Sequence, residues 1–277
     1  MLYVAPATLI VVGISIFPLL YTIGLSFSNH RLTSSDRSFA GFDNYAAVLT
    51  NPLILRAAAN TLIFAGTSVT LSLVLGIALA NMVSRLTVAK RFFRTIFFLP
   101  MLLASAVVGV IWRFLFNDQV GLVPMVSRFL GFDGSWLSEP SLAMVSIIIV
   151  DVWQWTPFVF LLVVAGMDAL PQEPVEAARI DGANGWQTFL HVVLPGLKGI
   201  IMIALVFRIT WSLRAFDHIY TMTQGGPGGA TEVLALAVWR NAFVNLDFGR
   251  SSAIAMVMFV VMAIVAIPLL RSTRAKD

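Results

Sequence analysis

The sequence contains no cysteine and few charged residues. Only 12% of its 277 residues are Asp, Glu, Lys or Arg, whereas roughly a quarter are charged in soluble domains. Without cysteine the protein has no disulfide bridge, no zinc site with cysteine ligands and no thiol chemistry. Because 58% of the residues are hydrophobic and the mean hydropathy is +0.89, we predict that the chain lies in a lipid bilayer.

Signatures of catalysis and of nucleotide binding are also missing. The histidines His30, His191 and His218 have no carboxylate at metal-ligand spacing, and no Gly-x-Ser-x-Gly or paired-carboxylate arrangement occurs. The glycine-rich segment 223–231 lacks the Gly-Lys-Ser/Thr ending of a phosphate-binding loop. The net charge of +4 is not accompanied by a basic run with interleaved aromatic residues. We therefore predict no catalytic residue, no metal site and no nucleic-acid partner.

Six apolar runs are long enough for membrane-spanning helices, which need about 20 residues each. The first is too long for the core of a signal peptide, and no Lys or Arg precedes it, so we predict a span and not a signal peptide. The missing basic residues also leave open whether Met1 is the natural start. The third is expected to kink at Pro100, and the loop 117–140 to be irregular. One all-helical membrane domain is predicted over residues 1–277, with spans at about 2–27, 60–82, 95–116, 141–166, 199–220 and 251–270.

Basic residues are concentrated in one set of loops. Nine Lys and Arg residues follow the second span, lie in or directly after the polar segment 170–195, or follow the sixth span, whereas six lie in the longer intervening loops. By the positive-inside rule, both termini and segment 170–195 are predicted to be cytoplasmic. The nine residues are Arg85, Lys90, Arg91, Arg94, Arg179, Lys198, Arg271, Arg274 and Lys276.

Segment 170–195 is the long polar stretch on this side. Pro171 and Pro174 suit the first turn of a helix, and Gly182 suits the left-handed residue after its end. We predict a short helix, a sharp glycine turn and a second short helix that ends at Pro195, and we call residues 170–195 the elbow. An amphipathic helix lying at the membrane interface is the alternative explanation.

Polar side chains interrupt the fourth and fifth spans. A charge deep in a bilayer costs at least about 2.5–3.5 kcal/mol, so such residues usually face the interior of a bundle or an aqueous cavity. Asp151 and Trp153 in the fourth span, with Arg208 and Trp211 in the fifth, are therefore candidates for lining a pathway. Aromatic rings beside hydrogen-bonding groups suit a sugar. A purely structural role is the alternative.

The elbow resembles a family signature. Glu176-Ala177-Ala178, Asp181-Gly182-Ala183 and Leu194-Pro195 are similar to the EAA signature of binding-protein-dependent ABC importer permeases. The resemblance implies a type I importer (MetI-like) fold in a bacterial inner membrane, with a cytoplasmic coupling helix. It also implies that an ATPase subunit contacts this helix through Glu176, Ala177, Ala178, Asp181 and Gly182.

The same resemblance implies four kinds of partner and no cofactor in this chain. The partners are a second homologous permease, an ATPase dimer that binds ATP and magnesium, an extracytoplasmic solute-binding protein, and membrane lipid. The protein itself would be a transport subunit and not an enzyme.

A second resemblance indicates the solute. The run 151–158, followed by Ala165-Gly166 and Leu170-Pro171, is similar to permeases for maltose, trehalose and glycerol phosphate, which implies a carbohydrate. Asp151, and Arg208 one span later, carry charge where the maltose permease is neutral, which leaves the sugar open and permits an anionic or sulfonated one. The first alternative is an importer of the same class for a polyamine, phosphate or glycerol phosphodiester. The second alternative is a secondary transporter. The implied pathway residues are Asp151, Trp153, Phe158, Arg208, Trp211 and Ser212.

Overall fold

The computed structural model describes residues 5–86 and 90–274, and its regular structure there is helical apart from two isolated bridges. Predictions about Met1, Lys276 and the first residues of the first span lie outside these ranges. The chain forms two compact units, one from residues up to 61 with 232–264, the other from 62–231 with the residues after 264.

The described residues form thirteen helices. Their bounds in chain order are α1 (Ala5–Ser26), α2 (Asp43–Thr50), α3 (Pro52–Ser84), α4 (Lys90–Phe98), α5 (Ser105–Leu115), α6 (Leu122–Phe129), α7 (Pro140–Ala169), α8 (Glu173–Ile180), α9 (Gly185–Gly196), α10 (Lys198–Leu213), α11 (Asp217–Thr223), α12 (Leu234–Val244) and α13 (Phe248–Arg274).

Three helices are long and apolar enough to cross a membrane, namely α3, α7 and the Phe248–Pro268 part of α13. Two further pairs reach this length only together and are sharply bent. Arg91–Leu102 meets α5 at 96°, and α9 meets α10 at 68°. Length and composition of the described residues therefore support three to five crossings. The described apolar part of the first predicted span, Val11–Ser26, is shorter.

The predicted break at Pro100 is confirmed. This proline lies in a tight turn over Leu99–Leu102 that separates α4 from α5, because proline has no amide hydrogen and its ring clashes with the preceding helical turn. The helix before the break begins at Lys90, five residues ahead of the predicted start of the span.

Two other expectations about continuity were wrong. The fifth span, predicted as continuous over 199–220, ends at Leu213 and helix resumes at Asp217. Hydrogen bonds from the amides of Arg214 and Ala215 to the carbonyls three residues earlier close the last turn. The loop 117–140 is not wholly irregular, because α6 forms within it, where apolar residues recur at helical spacing.

The core of the second unit joins α3, α7 and α10. Ala80, Val159, Phe160, Val163 and Leu197 are buried together. Gly76 lets α3 approach closely, because a β-carbon there would lie 2.7 Å from the Val159 side chain. Small residues of this kind permit tight helix packing where lipid supplies no hydrophobic drive for association.

The first unit has its own core and its own polar ties. Val48, Ala57, Leu234 and Ile254 belong to one buried cluster. The buried Asn44 side chain donates to the carbonyls of Ser26 and Ser28, each at 3.0 Å. These bonds hold the end of α1 against α2.

Candidate functional site

The elbow is an exposed helix followed by a glycine turn. Every residue of α8 is exposed or half-exposed, and Ile180 keeps 86% of its surface accessible. Gly182 has φ +82°, and the amide of Ala183 donates to the Ala178 carbonyl at 2.9 Å. This is the hydrogen bond of a helix end that turns through a left-handed residue, so the predicted glycine turn is confirmed.

The second half of the elbow begins at a capping box. Asn184 Oδ1 accepts hydrogen bonds from the amides of Trp186 and Gln187, and the Gln187 side chain accepts one from the Asn184 amide. These bonds satisfy amides that would otherwise lack partners at the helix start. The short polar linker therefore has a defined geometry.

The helix ends within one residue of the predicted end at Pro195. Helical structure continues to Gly196, and the 68° bend follows before α10 begins at Lys198. The preceding turn, Phe189–Val193, is π-helical, which shifts the hydrogen-bond register. Pro195 lies just after this turn and has no amide hydrogen to donate, at a place where the regular α-helical hydrogen bonds are already interrupted.

Arg85 connects the elbow to α3. Its Nη2 donates to the Gly185 carbonyl at 2.9 Å, and its Nε donates to Asn81 Oδ1 at 3.3 Å. A cavity of about 360 Å³ lies beside this contact, lined by residues of α3, α7 and the elbow, including Arg85 and Arg179. The sequence marked Arg85 only as one of several basic loop residues, because its partner lies 100 positions away.

Asp151 and Arg208 form an ion pair inside the second unit. Arg208 Nη2 lies 2.5 Å from Asp151 Oδ2, and the two side chains are 0% and 2% exposed. The same nitrogen donates to Ser72 Oγ at 3.2 Å. Each charge therefore faces the other in this conformation, and the pair removes the cost of an isolated charge in the bilayer.

Two further polar contacts surround the pair. Ser212 Oγ lies 3.0 Å from Ser68 Oγ in a buried contact between α10 and α3. His218 Nε2 lies 4.0 Å from Asp151 Oδ1 and is also buried. Together with the ion pair, these residues make a polar layer across α3, α7, α10 and α11.

An aromatic cluster lies next along α7 and α10. The Trp211 ring is 4.8 Å from that of Trp155, 4.7 Å from Phe158 and 5.6 Å from Phe207. Trp155 and Phe158 follow Asp151 at helical spacings of four and seven, so all three share one face of α7. Phe207 is 48% exposed. The cluster is therefore a partly open aromatic surface.

Trp153 lies apart from this cluster. It stands on the opposite face of α7, is 39% exposed, and packs edge-on against Trp112 with ring centroids 5.4 Å apart. The six predicted pathway residues therefore occupy three surroundings. Asp151, Arg208 and Ser212 are in the polar layer, Phe158 and Trp211 in the aromatic cluster, and Trp153 in an apolar cleft.

Comparison with known proteins identifies relatives along the whole chain. Residues 72–273 match the family described as binding-protein-dependent transport system inner membrane component. The chain is 34% identical over 278 residues to the sulfoquinovosyl glycerol transport system permease protein SmoG of Agrobacterium fabrum, covering 100% of this chain and 90% of SmoG. It is 34% identical over 261 residues to the trehalose/maltose transport system permease protein MalF of Thermococcus litoralis, covering 94% and 88%.

A solved structure shares the fold. It is a bacterial ABC transporter involved in the import of the acidic polysaccharide alginate, one chain of which gives a TM-score of 0.86 at 20% identity. The match covers 100% of this chain and 96% of that chain.

Proposed function

The chain belongs to the family of binding-protein-dependent transport system inner membrane components, and we propose that it forms half of the solute pathway of an ATP-driven importer. It is a permease subunit and not an enzyme. In this proposal a second homologous permease supplies the other half. Two ATPase subunits bind ATP and magnesium, and an extracytoplasmic binding protein delivers the solute.

The exposed elbow carries this proposal. Ala177 and Ala178 are small enough for close approach, and Ile180 exposes a large apolar side chain beside them. Isolated apolar residues at a surface are ordinary, but an exposed helix held by a glycine turn, a capping box and the Arg85 contact is a rigid projection. We assign this projection to the ATPase, with Glu176, Asp181 and Gly182 at its contact surface.

Six crossings and a cytoplasmic elbow complete the arrangement. The three long helices and the two bent pairs supply five crossings, and α1, with 22 residues, supplies the sixth. Both termini are then cytoplasmic, in agreement with the concentration of Lys and Arg in the loops on that side. ATP-driven closure of the ATPase dimer moves the elbow, and Arg85 passes this motion to α3.

We assign a carbohydrate as the solute, supported by the aromatic cluster and by relatives named for sugars. Trp211 and Phe158 present rings on a partly exposed face, which suits the C–H face of a sugar ring. The nearby Ser212 suits a hydroxyl group, and the ion pair of Asp151 with Arg208 would have to separate to bind a charged group of the solute. Trp153 faces the other side of α7, and its role in the pathway stays a prediction.

The decisive experiment uses the reconstituted complex. The chain is co-expressed with candidate ATPase and permease subunits, purified, and placed in liposomes with its binding protein. We expect the ATPase to copurify, and sugar-loaded binding protein to stimulate ATP hydrolysis and uptake. Calorimetry of the binding protein with sugars, polyamines and phosphate esters identifies the solute class. Transport by this chain alone would overturn the proposal in favour of a secondary transporter.

A further inference from the structure

α4 is a short amphipathic helix with a basic side. At 100° per residue, its positively charged positions fall on one side of the helix and most of its aromatic and aliphatic positions on the other. A helix of this composition is typical of a membrane interface. The basic positions are Lys90, Arg91 and Arg94, the apolar positions on the other side are Phe92, Phe93, Ile96 and Phe97, and Phe98 falls on the basic side.

The bend after α4 supports an interfacial position. Arg91–Leu102 and α5 meet at 96°, so the two segments do not both run along the membrane normal. The charges of Arg91 and Arg94 favour the membrane surface for the first turns of α4, whereas its later residues and α5 enter the bilayer as one bent crossing. Arg91 is exposed, whereas Arg94 Nη2 donates to Asp168 Oδ2 at 2.8 Å.

An apolar cleft begins beside α4. It has a volume of about 650 Å³ and lies between α3, α4 and α7, where its lining includes Leu75, Phe97, Trp153 and Phe160. Along α7 the cleft extends from Ile149 to Phe160, which is about 16 Å at 1.5 Å per residue. This length is comparable to that of one extended acyl chain, about half of the 30 Å hydrocarbon thickness.

The Arg94–Asp168 pair fixes the two features relative to each other. Asp168 is the penultimate residue of α7, so the ion pair holds the basic helix at the end of the helix that forms one wall of the cleft. Phe97 of α4 packs against Phe160 of α7 with ring centroids 5.5 Å apart. The helix that carries the positive charge therefore also forms one wall of the apolar cleft, through Ile96 and Phe97.

We propose that this arrangement is a binding site for one anionic phospholipid. The headgroup phosphate pairs with Arg91, and one acyl chain lies in the cleft between α3, α4 and α7. Basic pockets at the cytoplasmic ends of transmembrane helices bind anionic headgroups in this way. The inference rests on the cytoplasmic side proposed above for the loop after α3. A lipid in this place would hold α4 next to α7, whose C-terminal end leads directly into the elbow.

The test measures the phospholipid retained by the assembled importer. The complex is reconstituted in nanodiscs of phosphatidylglycerol and phosphatidylcholine, extracted in mild detergent, and its bound lipid counted by mass spectrometry. Arg91→Gln is expected to lower retained phosphatidylglycerol about fivefold, the effect of one basic charge at a membrane surface, without changing phosphatidylcholine. Arg128→Gln is the matched control, because it removes an exposed arginine from the short helix α6. Equal retention by Arg91→Gln and the parent overturns the headgroup assignment.

A second measurement identifies what occupies the cleft. A photoreactive side chain at position 75 of the parent complex is expected to react with phospholipid. Reaction with the second permease subunit would overturn the inference, because that subunit would then fill the cleft. Leu75→Trp, which fills the cleft without changing charge, is expected to release the same lipid.

These readouts separate the two proposals. A parent complex that retains no anionic lipid, yet hydrolyses ATP in response to loaded binding protein, overturns only the lipid site. A chain that fails to assemble with any ATPase overturns the proposed function first.

Discussion

Removing the charge of Asp151 is expected to destabilise the protein strongly. Asp151→Asn keeps the shape of the side chain but leaves the Arg208 guanidinium buried without an opposite charge. Arg208 is 0% exposed, and its Nε and Nη1 have no hydrogen-bond partner among the described residues. The polar groups left beside the Arg208 guanidinium are then the Ser72 hydroxyl and the introduced side-chain amide at position 151. Breaking one side of a buried ion pair costs about 3–5 kcal/mol, and this degree of burial favours the upper part of that range.

The measurement is unfolding in mixed micelles, followed by the helix signal. A loss of this size lowers the apparent midpoint by about 6–20 °C, at roughly 2–4 °C per kcal/mol for a chain of this order of length. The double variant Asp151→Leu with Arg208→Met is the control. Replacing both charges by apolar residues is expected to be neutral or stabilising. An Asp151→Asn protein as stable as the parent would refute the pairing, and a double variant as unstable as the single one would show that charge is not the cause.

Three further substitutions test the elbow and the aromatic cluster. Gly182→Asp places a β-carbon at φ +82°, a strain of about 1–2 kcal/mol. We expect this variant to lose uptake while the ATPase still copurifies with it. The control Gly199→Ala has open space around the new methyl group and should transport normally. Arg85→Gln removes the guanidinium bond to the Gly185 carbonyl, so ATP hydrolysis should respond less to loaded binding protein while assembly is kept, and an unchanged response would exclude Arg85 from coupling. Trp211→Ala removes a ring at the centre of the aromatic cluster. Half-maximal uptake should then need a several-fold higher sugar concentration, while basal ATP hydrolysis stays unchanged. Unchanged uptake would show that the sugar does not bind at this cluster.

Local signals made the elbow predictable. Proline at a helix start and glycine after a helix end act through the backbone of a few neighbouring residues, so α8 and the turn at Gly182 follow from the sequence alone. The π-helical turn within the second elbow helix was not predictable in this way, because the residue types at Phe189–Val193 carry no local signal for it.

Hydropathy predicted which segments are apolar but not their directions. Pro100 indicates that the third span breaks, but no local pattern indicates the size of the two bends, 96° and 68°. A run of apolar residues has the same composition whether it is straight or broken. The strongly amphipathic pattern of α4 did carry a signal, because a regular spanning helix has no reason to segregate basic and aromatic residues to opposite sides.

The candidate site was predictable as a set of residues but not as an arrangement. Charges and tryptophans inside apolar runs are visible in the sequence. Trp155 could also have been predicted as a site residue, since it follows Asp151 by four positions on one helical face. The pairing of Asp151 with Arg208 was not visible, because it joins helices through residues 57 positions apart. Spacing within one helix cannot show which charge on another helix lies opposite.

The ion pair bears directly on which sugars the pathway accepts. A solute that binds Arg208 through its own negative charge must displace a carboxylate only 2.5 Å away, so the pair must separate during transport of an anionic sugar. A neutral sugar needs the rings of Phe158 and Trp211 and leaves the pair closed. The double variant Asp151→Leu with Arg208→Met distinguishes these cases, because it should abolish uptake of an anionic sugar and preserve uptake of a neutral one. Uptake of an anionic sugar by that variant, at the rate of the parent, would contradict any role of Arg208 in binding the solute.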